Sequence, residues 1–411
     1  MKEFGCIGEK LSHSFSKDIH ARLAPYSYEL CEVPRDKLAE FFEKRDFRGI
    51  NVTIPYKQDV LPYLDAVSDE AKAIGAVNTI INGGGRLSGY NTDFFGLCAL
   101  IKRAGVEIAG KSVLILGSGG TSKTAAAVAS ALGAKSIDRV SRTSRDGCIS
   151  YEDAADKKDT QVIINTTPCG MYPRVSNAPV DVSLFPALEG VIDAVYNPLR
   201  TDLVLNARAR GIKAENGLYM LVAQAARACS LFTGKEVPES KTEKVFRELI
   251  SLKENVVLTG MPGCGKSTVG RALAKELKRL FYDTDDLIEK ETGRAPGDII
   301  RERGEAAFRD IESEIIGKLS GEQGAVIATG GGAVLRDTNV RALKRNGRII
   351  FIDKPLELLV TGESRPLSSD ADALKKRYDE RIEIYRSTAD KTLSGALNVA
   401  GSVGAVKEML K

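Results

Sequence analysis

Short apolar runs that lead into glycine-rich segments recur along the chain. The run 112–116 precedes glycines within 117–120, and the run 256–259 precedes glycines within 260–265. Helical periodicity follows each glycine segment, over residues 123–132 and 268–277. Strand, glycine loop and helix in this order predict parallel α/β sheets. Four further runs predict additional strands of the same kind: 162–165, 190–194, 325–329 and 348–352.

The pattern changes near residue 250. Residues 239–252 are charged with helical periodicity, and a new first strand begins at Asn255. A chain of 411 residues is expected to form two or three domains. We predict a substrate domain at 1–100, completed by helices in 217–248, and an inserted dinucleotide-binding domain at 101–216. A helical linker at 239–253, acting as a semi-rigid spacer, then leads to one further domain at 254–411.

Composition and charge disfavour several classes of protein. Hydrophobic residues make up 43% of the chain and charged residues 28%, with a net charge of +4 and no basic stripe, which disfavours disorder and nucleic-acid binding. Two histidines leave no His-rich metal site, and seven scattered cysteines without C-x-x-C spacing favour a reducing compartment. Without a leader-like or membrane-spanning apolar run, a cytoplasmic protein with small-molecule partners and no membrane partner is expected.

The second glycine segment contains the complete motif G-x-x-x-x-G-K-S. In this motif the backbone N–H groups of the loop and of the helix N-terminus bind phosphates, the lysine reaches the β- and γ-phosphates, and the serine ligates Mg²⁺. A strand precedes the motif and a helix follows it, which favours nucleotide binding over a plain turn. The predicted ATP-binding residues are Gly263, Cys264, Gly265, Lys266, Ser267 and Thr268.

Two carboxylates and several arginines follow this loop. Asp283 and Asp285 end the next strand, where one could hold Mg²⁺ and the other could accept a proton from a substrate hydroxyl. Arg309, Arg365 and Arg381 fall at motif-like positions around the glycines 330–332. Their planar guanidinium groups suit a bidentate clamp on a carboxylate and charge stabilisation at a phosphate.

Together these residues resemble shikimate kinase over 254–411. The resemblance implies a P-loop, nucleoside-monophosphate-kinase-like domain that transfers the γ-phosphate of ATP to the 3-hydroxyl of shikimate. It implies that Asp285 contacts the ring hydroxyls as the base, with Asp283 and Ser267 left for Mg²⁺. Substrate would be held by Arg309, Gly331 and Arg381, and Arg365 would close over the phosphates.

The first glycine segment is a partial dinucleotide-binding fingerprint. About twenty residues further on, where an acidic residue binds the ribose of NAD, the chain has Ser141, Arg142 and Thr143. A basic residue there suits the 2′-phosphate of NADP, and Asp138 is expected in mid-strand. NADP is therefore the predicted cofactor.

Candidate reaction chemistry also lies in the first hundred residues. Ser14 and Ser16 present hydroxyls suited to a carboxylate, and an extended segment 51–57 is expected to deliver Lys57. Taken alone, Lys57 could be a surface lysine and Asp93 a helix cap, and spacing does not decide between these alternatives.

The ordered set of motifs resembles shikimate dehydrogenase from residue 5 to about 248. The resemblance implies an α/β substrate domain with a Rossmann-like NADP domain, and Lys57 as catalytic residue paired with Asp93. The substrate-binding residues it implies are Ser14, Ser16, Thr53, Asn78, Asp93, Tyr196 and Gln224. The NADP-binding residues it implies are Gly117, Ser118, Gly119, Gly120, Thr121, Ser122, Ser141, Arg142, Thr143 and Gly217.

The two resemblances name consecutive reactions that share shikimate. They imply a bifunctional enzyme of chorismate and aromatic amino-acid biosynthesis that reduces 3-dehydroshikimate with NADPH and then phosphorylates shikimate with MgATP. Two alternatives remain: a metabolite-binding regulatory protein built from decayed enzyme domains, and an NAD-dependent quinate/shikimate dehydrogenase.

Overall fold

The computed structural model describes residues 3–11, 15–143, 147–359 and 371–410. The chain forms two compact units, Met1–Asn197 with Thr201–Glu248 and Pro198–Arg200 with Leu249–Lys411. Within the described ranges, no helix combines the length and the apolar character needed to cross a membrane.

The first unit begins with a mixed six-stranded sheet in the order β2-β1-β3-β5-β6-β4. Strands β1 and β3 are fully buried, as expected for strands covered on both faces. The strands are β1 Phe4–Gly8, β2 Tyr28–Glu32, β3 Gly49–Val52, β4 Ala66–Val67, β5 Thr79–Gly83 and β6 Arg86–Tyr90. The helices are α1 Ser16–Leu23, α2 Leu38–Lys44, α3 Asp69–Ile74 and α4 Thr92–Ala104.

The second sheet of this unit is parallel, in the order β12-β11-β10-β7-β8-β9. The order reverses between β7 and β10, and ligands of such sheets bind beyond the carboxyl ends of the strands at this point. The strands are β7 Ser112–Leu116, β8 Ser136–Val140, β9 Cys148–Ile149, β10 Val162–Asn165, β11 Gly190–Asp193 and β12 Lys213–Glu215. The helices are α5 Gly120–Ala131, α6 Tyr151–Ala155, α7 Asp202–Ala209 and α8 Leu218–Thr233.

Helix α9, Glu239–Lys253, covers the segment expected to be a spacer. The helix itself confirms the periodicity, but Val245, Phe246 and Leu249 are buried. Phe246 lies edge-on to Tyr219 of α8 at a centroid distance of 5.2 Å. The apolar side of this helix is therefore removed from water, and the part that carries Phe246 packs against α8.

The second unit contains a parallel five-stranded sheet in the order β14-β15-β13-β16-β17. Its central strand β13 is fully buried, and the strand order reverses between β13 and β15. The strands are β13 Asn255–Thr259, β14 Phe281–Asp283, β15 Val326–Ala328, β16 Gly347–Asp353 and β17 Lys391–Ser394. The helices are α10 Lys266–Leu277, α11 Thr284–Thr292, α12 Pro296–Leu319, α13 Asp337–Asn346, α14 Ala371–Thr388 and α15 Val399–Met409. The predicted α/β class is confirmed.

Candidate active sites

Lys57 and Asp93 form a half-buried ion pair in the first unit. Lys57 Nζ donates to Asp93 Oδ2 at 2.6 Å, and the two side chains are only 29% and 20% exposed. Helix α4 is capped by Asn91, whose side chain accepts from the backbone N–H of Phe94. Asp93 is therefore not needed as the cap, and Lys57 is not a free surface lysine.

The segment that carries Lys57 differs from the prediction. Strand β3 ends at Val52, and residues 54–60 form turns, so the expected extended conformation of 51–57 is wrong for its last four residues. Tyr56 is fully buried, and its hydroxyl donates to the backbone oxygen of Val33 at 2.7 Å. Because this phenol enters the core, the chain turns at this point and the next residue, Lys57, lies beside Asp93.

Asn78 and Gln224 meet at Thr92. Asn78 Oδ1 accepts from the backbone N–H of Thr92 at 2.7 Å, and the Thr92 hydroxyl lies 3.2 Å from both Asn78 Oδ1 and Gln224 Oε1. Sequence reasoning did not single out Thr92, although its position directly before Asp93 is a usable signal. Thr92 therefore orders two candidate substrate amides beside the Lys57–Asp93 pair.

Three further candidate substrate residues, Thr53, Tyr196 and Ser16, lie elsewhere in the first unit. Thr53 follows β3, and its backbone N–H donates to Ile7 at 3.0 Å. Tyr196 meets Phe15 edge-on at a centroid distance of 6.3 Å, and burial raises the pKa of its phenol. Ser16 begins α1 directly after Phe15, whereas Ser14 lies outside the described residues.

The glycine loop after β7 leaves a helix N-terminus exposed. Gly117 has a φ of 117°, and a Cβ there would lie 2.6 Å from Thr166 Oγ1, so only glycine fits. Gly119 precedes the first residue of α5, and residues 118–120 are exposed. Such an N-terminus attracts a phosphate through its free N–H groups and its dipole. Thr121 is half-buried there, but Ser122 is fully buried, so its side chain packs inside instead of facing a cofactor.

The loop after β8 presents a cation at the same edge of the sheet. Arg142 and Thr143 are exposed, and the N–H of Thr143 donates to Ser141 Oγ at 3.4 Å. Asp138 lies within β8 and pairs with Lys157 at 3.1 Å. The arginine, rather than this aspartate, is therefore placed to meet a group bound beyond the strand ends.

Gly217 brings the start of α8 against the backbone that directly follows β11. Its N–H donates to the backbone oxygen of Val195 at 3.0 Å, and a Cβ at this position would lie 2.2 Å from the backbone oxygen of Ala194. A larger residue would push α8 away from this segment. Gly217 thus allows a close backbone approach at the carboxyl edge of the second sheet.

The phosphate-binding motif of the second unit lies between β13 and α10. Gly260 and Gly265 have φ values of 146° and 102°, which L-side chains rarely adopt. Lys266 is 9% exposed, and its Nζ donates to the backbone oxygens of Gly260 at 2.9 Å and Met261 at 3.0 Å. The lysine is therefore fixed over its own loop. The neighbouring residues Gly263 and Cys264 belong to this loop, and Ser267 and Thr268 are exposed in the first turn of α10.

A cavity of about 510 Å³ brings the candidate residues of this unit together. Its lining joins the phosphate loop to both aspartates, to the loop after β15 and to arginines of α12 and α14. Of the predicted residues it includes Gly263, Gly265, Lys266, Ser267, Thr268, Asp283, Asp285, Arg309, Gly331 and Arg381. It also includes residues that sequence reasoning missed, Phe308, Glu312 and Arg377. Arg365 lies outside the described residues.

The two aspartates have different environments. Asp283 is buried and caps α11, its Oδ1 accepting from the N–H of Asp285 at 3.1 Å. Asp285 opens into the cavity, yet desolvation by the cavity walls raises its pKa to about 6, helped by the charge of Asp283 and opposed by Lys266. A carboxylate of this pKa is ionised at neutral pH and basic enough to accept a hydroxyl proton.

Arg309 is held by a buried carboxylate. Its Nη1 donates to Glu312 at 2.7 Å and its Nη2 to Glu305 at 2.9 Å, and Glu312 is fully buried. Oε1 of Glu312 has no hydrogen-bond partner within the described part of the chain. A Cβ at Gly332 would lie 2.1 Å from Arg309 Nη2, so the glycine gives the guanidinium its place. The signal that could have found Glu312 is its i,i+3 spacing from Arg309.

Arg381 approaches the same cavity from α14 and is 8% exposed. One turn along the helix, the Tyr385 hydroxyl donates to the backbone oxygen of Gly331. This contact joins α14 to the glycine loop after β15. The arginines of two helices thus line the cavity with a glycine loop, an arrangement that suits a ligand carboxylate.

Oxygen donors suited to Mg²⁺ line the cavity beside the phosphate loop. Ser267 and Asp283 both contribute to its surface. Mg²⁺ in phosphate-transfer sites is bound by one or two protein oxygens, with waters and substrate phosphates completing the shell. The two residues fit this mode, and the described residues hold no cluster of three or more His, Cys, Asp or Glu that could bind a metal alone.

Comparisons with known protein families divide the chain in the same way. The model of the shikimate dehydrogenase substrate-binding domain matches residues 6–80, and that of the shikimate 5′-dehydrogenase C-terminal domain matches 217–245. The shikimate kinase model matches residues 262–410. These matches confirm both resemblances drawn from the sequence.

Individual relatives match the dehydrogenase part. The NADP(+) shikimate dehydrogenase of Clostridium perfringens is 38% identical over 267 residues, which cover 61% of this chain and 98% of the relative. A chorismate mutase/shikimate 5-dehydrogenase fusion from Clostridium acetobutylicum is 37% identical, with a TM-score of 0.58 over 61% of this chain and 97% of that one. The Thermus thermophilus shikimate 5-dehydrogenase, solved with NADP(H) and shikimate, is 32% identical, with a TM-score of 0.55 over 60% and 99%.

Proposed function

The chain belongs to the shikimate dehydrogenase family, and we propose that it is a bifunctional enzyme that reduces 3-dehydroshikimate with NADPH and phosphorylates shikimate with MgATP. The observation that carries the proposal is that both sites keep their reactive groups in place. Lys57 and Asp93 lie 2.6 Å apart, and one cavity joins Lys266 to Asp285 and Arg309. A regulatory protein with decayed domains would be expected to lose such groups.

In the dehydrogenase unit, Lys57 supplies the proton. As the carbonyl carbon of 3-dehydroshikimate is reduced, its oxygen takes a proton from the Lys57 ammonium and becomes the hydroxyl of shikimate. Asp93 holds the lysine through their hydrogen bond. Bound NADPH supplies the hydride for this reduction. Asn78 and Gln224, ordered by Thr92, orient the ring beside the ion pair.

The NADP-binding residues are proposed from their positions beyond the strand ends. The exposed N-terminus of α5 holds the pyrophosphate, Arg142 and Thr143 meet the 2′-phosphate, and Gly217 leaves room at β11. Residues 101–216 thus form the cofactor domain, and residues 1–100 with 217–248 form the substrate domain. The relatives that share this part include an NADP(+) enzyme, which supports NADP over NAD.

In the second unit, residues 254–411 form the proposed kinase domain. There Asp285 accepts the proton of the 3-hydroxyl while the hydroxyl oxygen attacks the γ-phosphorus of ATP, and the bond from this phosphorus to the β-phosphate oxygen breaks to release ADP. Arg309 and Arg381 hold the carboxylate of shikimate, and Lys266 offsets charge at the phosphates. Bound Mg²⁺, held by Ser267 and Asp283, would neutralise the phosphate charge. The product, shikimate 3-phosphate, places the enzyme in chorismate and aromatic amino-acid biosynthesis.

Two separate assays on the purified full chain test the proposal. The first follows NADPH consumption with 3-dehydroshikimate, and the second follows ATP consumption with shikimate. Lys57→Ala should abolish the first activity and leave the second unchanged, and Lys266→Ala should do the reverse. A wild-type chain that lacks either turnover contradicts the bifunctional proposal, and faster oxidation of quinate with NAD favours the catabolic alternative.

A further inference from the structure

Asp193 is a fully buried carboxyl at the carboxyl end of β11, three residues before Tyr196. Its hydrogen-bond donors are neutral: Asn165 Nδ2 at 2.9 Å and the N–H of Val195 at 3.0 Å on Oδ1, and Thr201 Oγ1 at 2.6 Å on Oδ2. Burial raises the pKa of Asp193 to about 6, although the three hydrogen bonds act to lower it. A buried carboxyl held only by neutral donors is costly, and such groups concentrate at functional sites.

The carboxyl of Asp193 fixes both ends of the segment that carries Tyr196. Val195, whose N–H donates to Asp193 Oδ1, directly precedes Tyr196 in the chain. Thr201, whose hydroxyl donates to Asp193 Oδ2, follows Tyr196. Thr201 also caps α7, because its hydroxyl accepts from the N–H of Val204 at 3.3 Å. The segment is therefore held in place both where it leaves β11 and where it enters α7.

The same carboxyl also contacts the neighbouring loop, which follows β10. The amide of Asn165 donates to Asp193, and its Oδ1 accepts from the N–H of Thr167 at 3.0 Å and from its hydroxyl at 2.7 Å. Thr167 Oγ1 then accepts from the N–H of Cys169 at 3.2 Å. Because Nδ2 of Asn165 faces an acceptor and Oδ1 faces two donors, only one orientation of the amide satisfies all of these hydrogen bonds.

The loops after β10 and β11 lie at the edge where the proposed cofactor and substrate meet. Strand β10 pairs with β7, at the reversal of strand order where dinucleotides bind. Tyr196, on the other loop, contacts Phe15 next to Ser16 of the substrate domain. A change in the spacing of the two loops would therefore move Tyr196 relative to bound substrate.

We propose that Asp193 is a positioning residue that fixes the loops after β10 and β11 relative to each other and holds Tyr196 against the substrate of the dehydrogenase. This role rests on the proposed dehydrogenase function. Asp193 acts through Tyr196 and does not touch the reacting atoms. Its removal should therefore weaken substrate binding more than it slows the chemical step.

Two variants of the whole chain test this role. Asp193→Asn keeps the volume of the side chain, and Thr201→Val removes one hydrogen-bond donor. We expect each variant to raise the KM for 3-dehydroshikimate about tenfold, the order of one buried hydrogen bond, with a smaller change in kcat. In a Tyr196→Phe background the same substitutions should raise the KM for 3-dehydroshikimate less than about twofold, because the effects of residues that act through one another are not additive. Asp193→Asn, which loosens both loops, should also raise the KM for NADPH.

Two internal controls separate positioning from general destabilisation. The kinase activity of the same molecules reports folded enzyme and should stay within about twofold of wild type. Thr160→Val makes the same chemical change at a buried threonine before β10, at the opposite end of the strand, and should leave both activities unchanged. If Thr201→Val yields no folded protein, Asp193→Asn carries the test alone, because it keeps the cap of α7.

Wild-type KM values in both variants, or losses that add fully to that of Tyr196→Phe, overturn the role of Asp193. A wild-type chain that does not turn over 3-dehydroshikimate instead overturns the proposed dehydrogenase function.

Discussion

The ammonium of Lys57 lies 2.6 Å from Asp93 Oδ2, although the two residues are 36 positions apart in the sequence. One comes from a turn after β3 and the other from the first turn of α4. Both side chains are largely covered, so the pair is less screened by solvent than a surface ion pair. The hydrogen bond to Asp93 holds the Lys57 ammonium in one place, and the proposed reduction depends on that placement.

Replacing this lysine should therefore remove one activity of two. Lys57→Ala should lower kcat/KM for 3-dehydroshikimate by about 10²–10⁴-fold, the usual value of a positioned acid or base. Kinase turnover in the same sample should not change. Lys72→Ala is the matched control, since Lys72 also pairs with an aspartate, Asp69 at 3.7 Å, but on the exposed surface of α3. A reductase rate within a few-fold of wild type in Lys57→Ala refutes its catalytic role.

The choice of cofactor should depend on Arg142. Removing its guanidinium in Arg142→Ala should lower kcat/KM for NADPH by about tenfold or more, the range of a charged hydrogen bond, and leave the rate with NADH nearly unchanged. Lys135→Ala removes another exposed cation, at the amino end of β8, and should alter neither rate. Equal losses with both cofactors would show that Arg142 does not read the 2′-phosphate.

The kinase should lose activity in acid because of Asp285. Its pKa of about 6 means that the base form is lost below this pH, so kcat/KM for shikimate should fall about tenfold per pH unit there. Asp285→Asn should lower turnover strongly above pH 6, where the wild-type carboxyl is ionised. A kinase rate that is flat between pH 5 and pH 7, by direct product assay, contradicts the assignment of Asp285 as base.

The same raised pKa also predicts an effect on stability. A carboxyl whose pKa is higher in the folded state than in the unfolded state costs nothing in strong acid, and its cost grows as the pH rises toward the folded value. Asp285→Asn should therefore raise the melting temperature of the second unit at pH 8 and have little effect at pH 4. Calorimetry at the two pH values measures the difference, and a rise in melting temperature that is confined to pH 4 contradicts the prediction.

Gly332 should be intolerant of a methyl group. In Gly332→Ala the new Cβ would meet the guanidinium of Arg309, so the arginine must leave its place against Glu312. We expect the KM for shikimate to rise at least tenfold while the KM for ATP changes little. Gly317→Ala, on α12 with open space around it, is the control and should stabilise the fold by about 0.4–1 kcal/mol. Equal KM values for shikimate in Gly332→Ala and Gly317→Ala contradict this role of Gly332.

Local patterns were sufficient to predict many elements. The run 162–165 is β10, and the helix expected at 268–277 is contained in α10, Lys266–Leu277. These elements combine apolar runs, glycine loops and helical periodicity, which depend on neighbouring residues only. The turn at 54–60 could not be predicted in this way, because it depends on Tyr56 reaching Val33 across the core.

The same distinction between local patterns and contacts made by the fold applies to the site residues. Motif spacing predicts Lys266 and Asp285 as site residues, and the structure places both in the lining of one cavity. Glu312, Thr92 and Asp193 were missed because each acts through a contact that only the fold creates. Ser122 was assigned to the cofactor by its place in the motif, yet packing buries it.

One reaction tests the central claim most directly. Purified full-length chain is incubated with 3-dehydroshikimate, NADPH, ATP and Mg²⁺, with a second tube lacking ATP, and products are identified by mass spectrometry. Two active sites predict shikimate 3-phosphate in the complete reaction and shikimate alone without ATP. Shikimate in both tubes would contradict the kinase assignment, and the absence of both products would contradict the account as a whole.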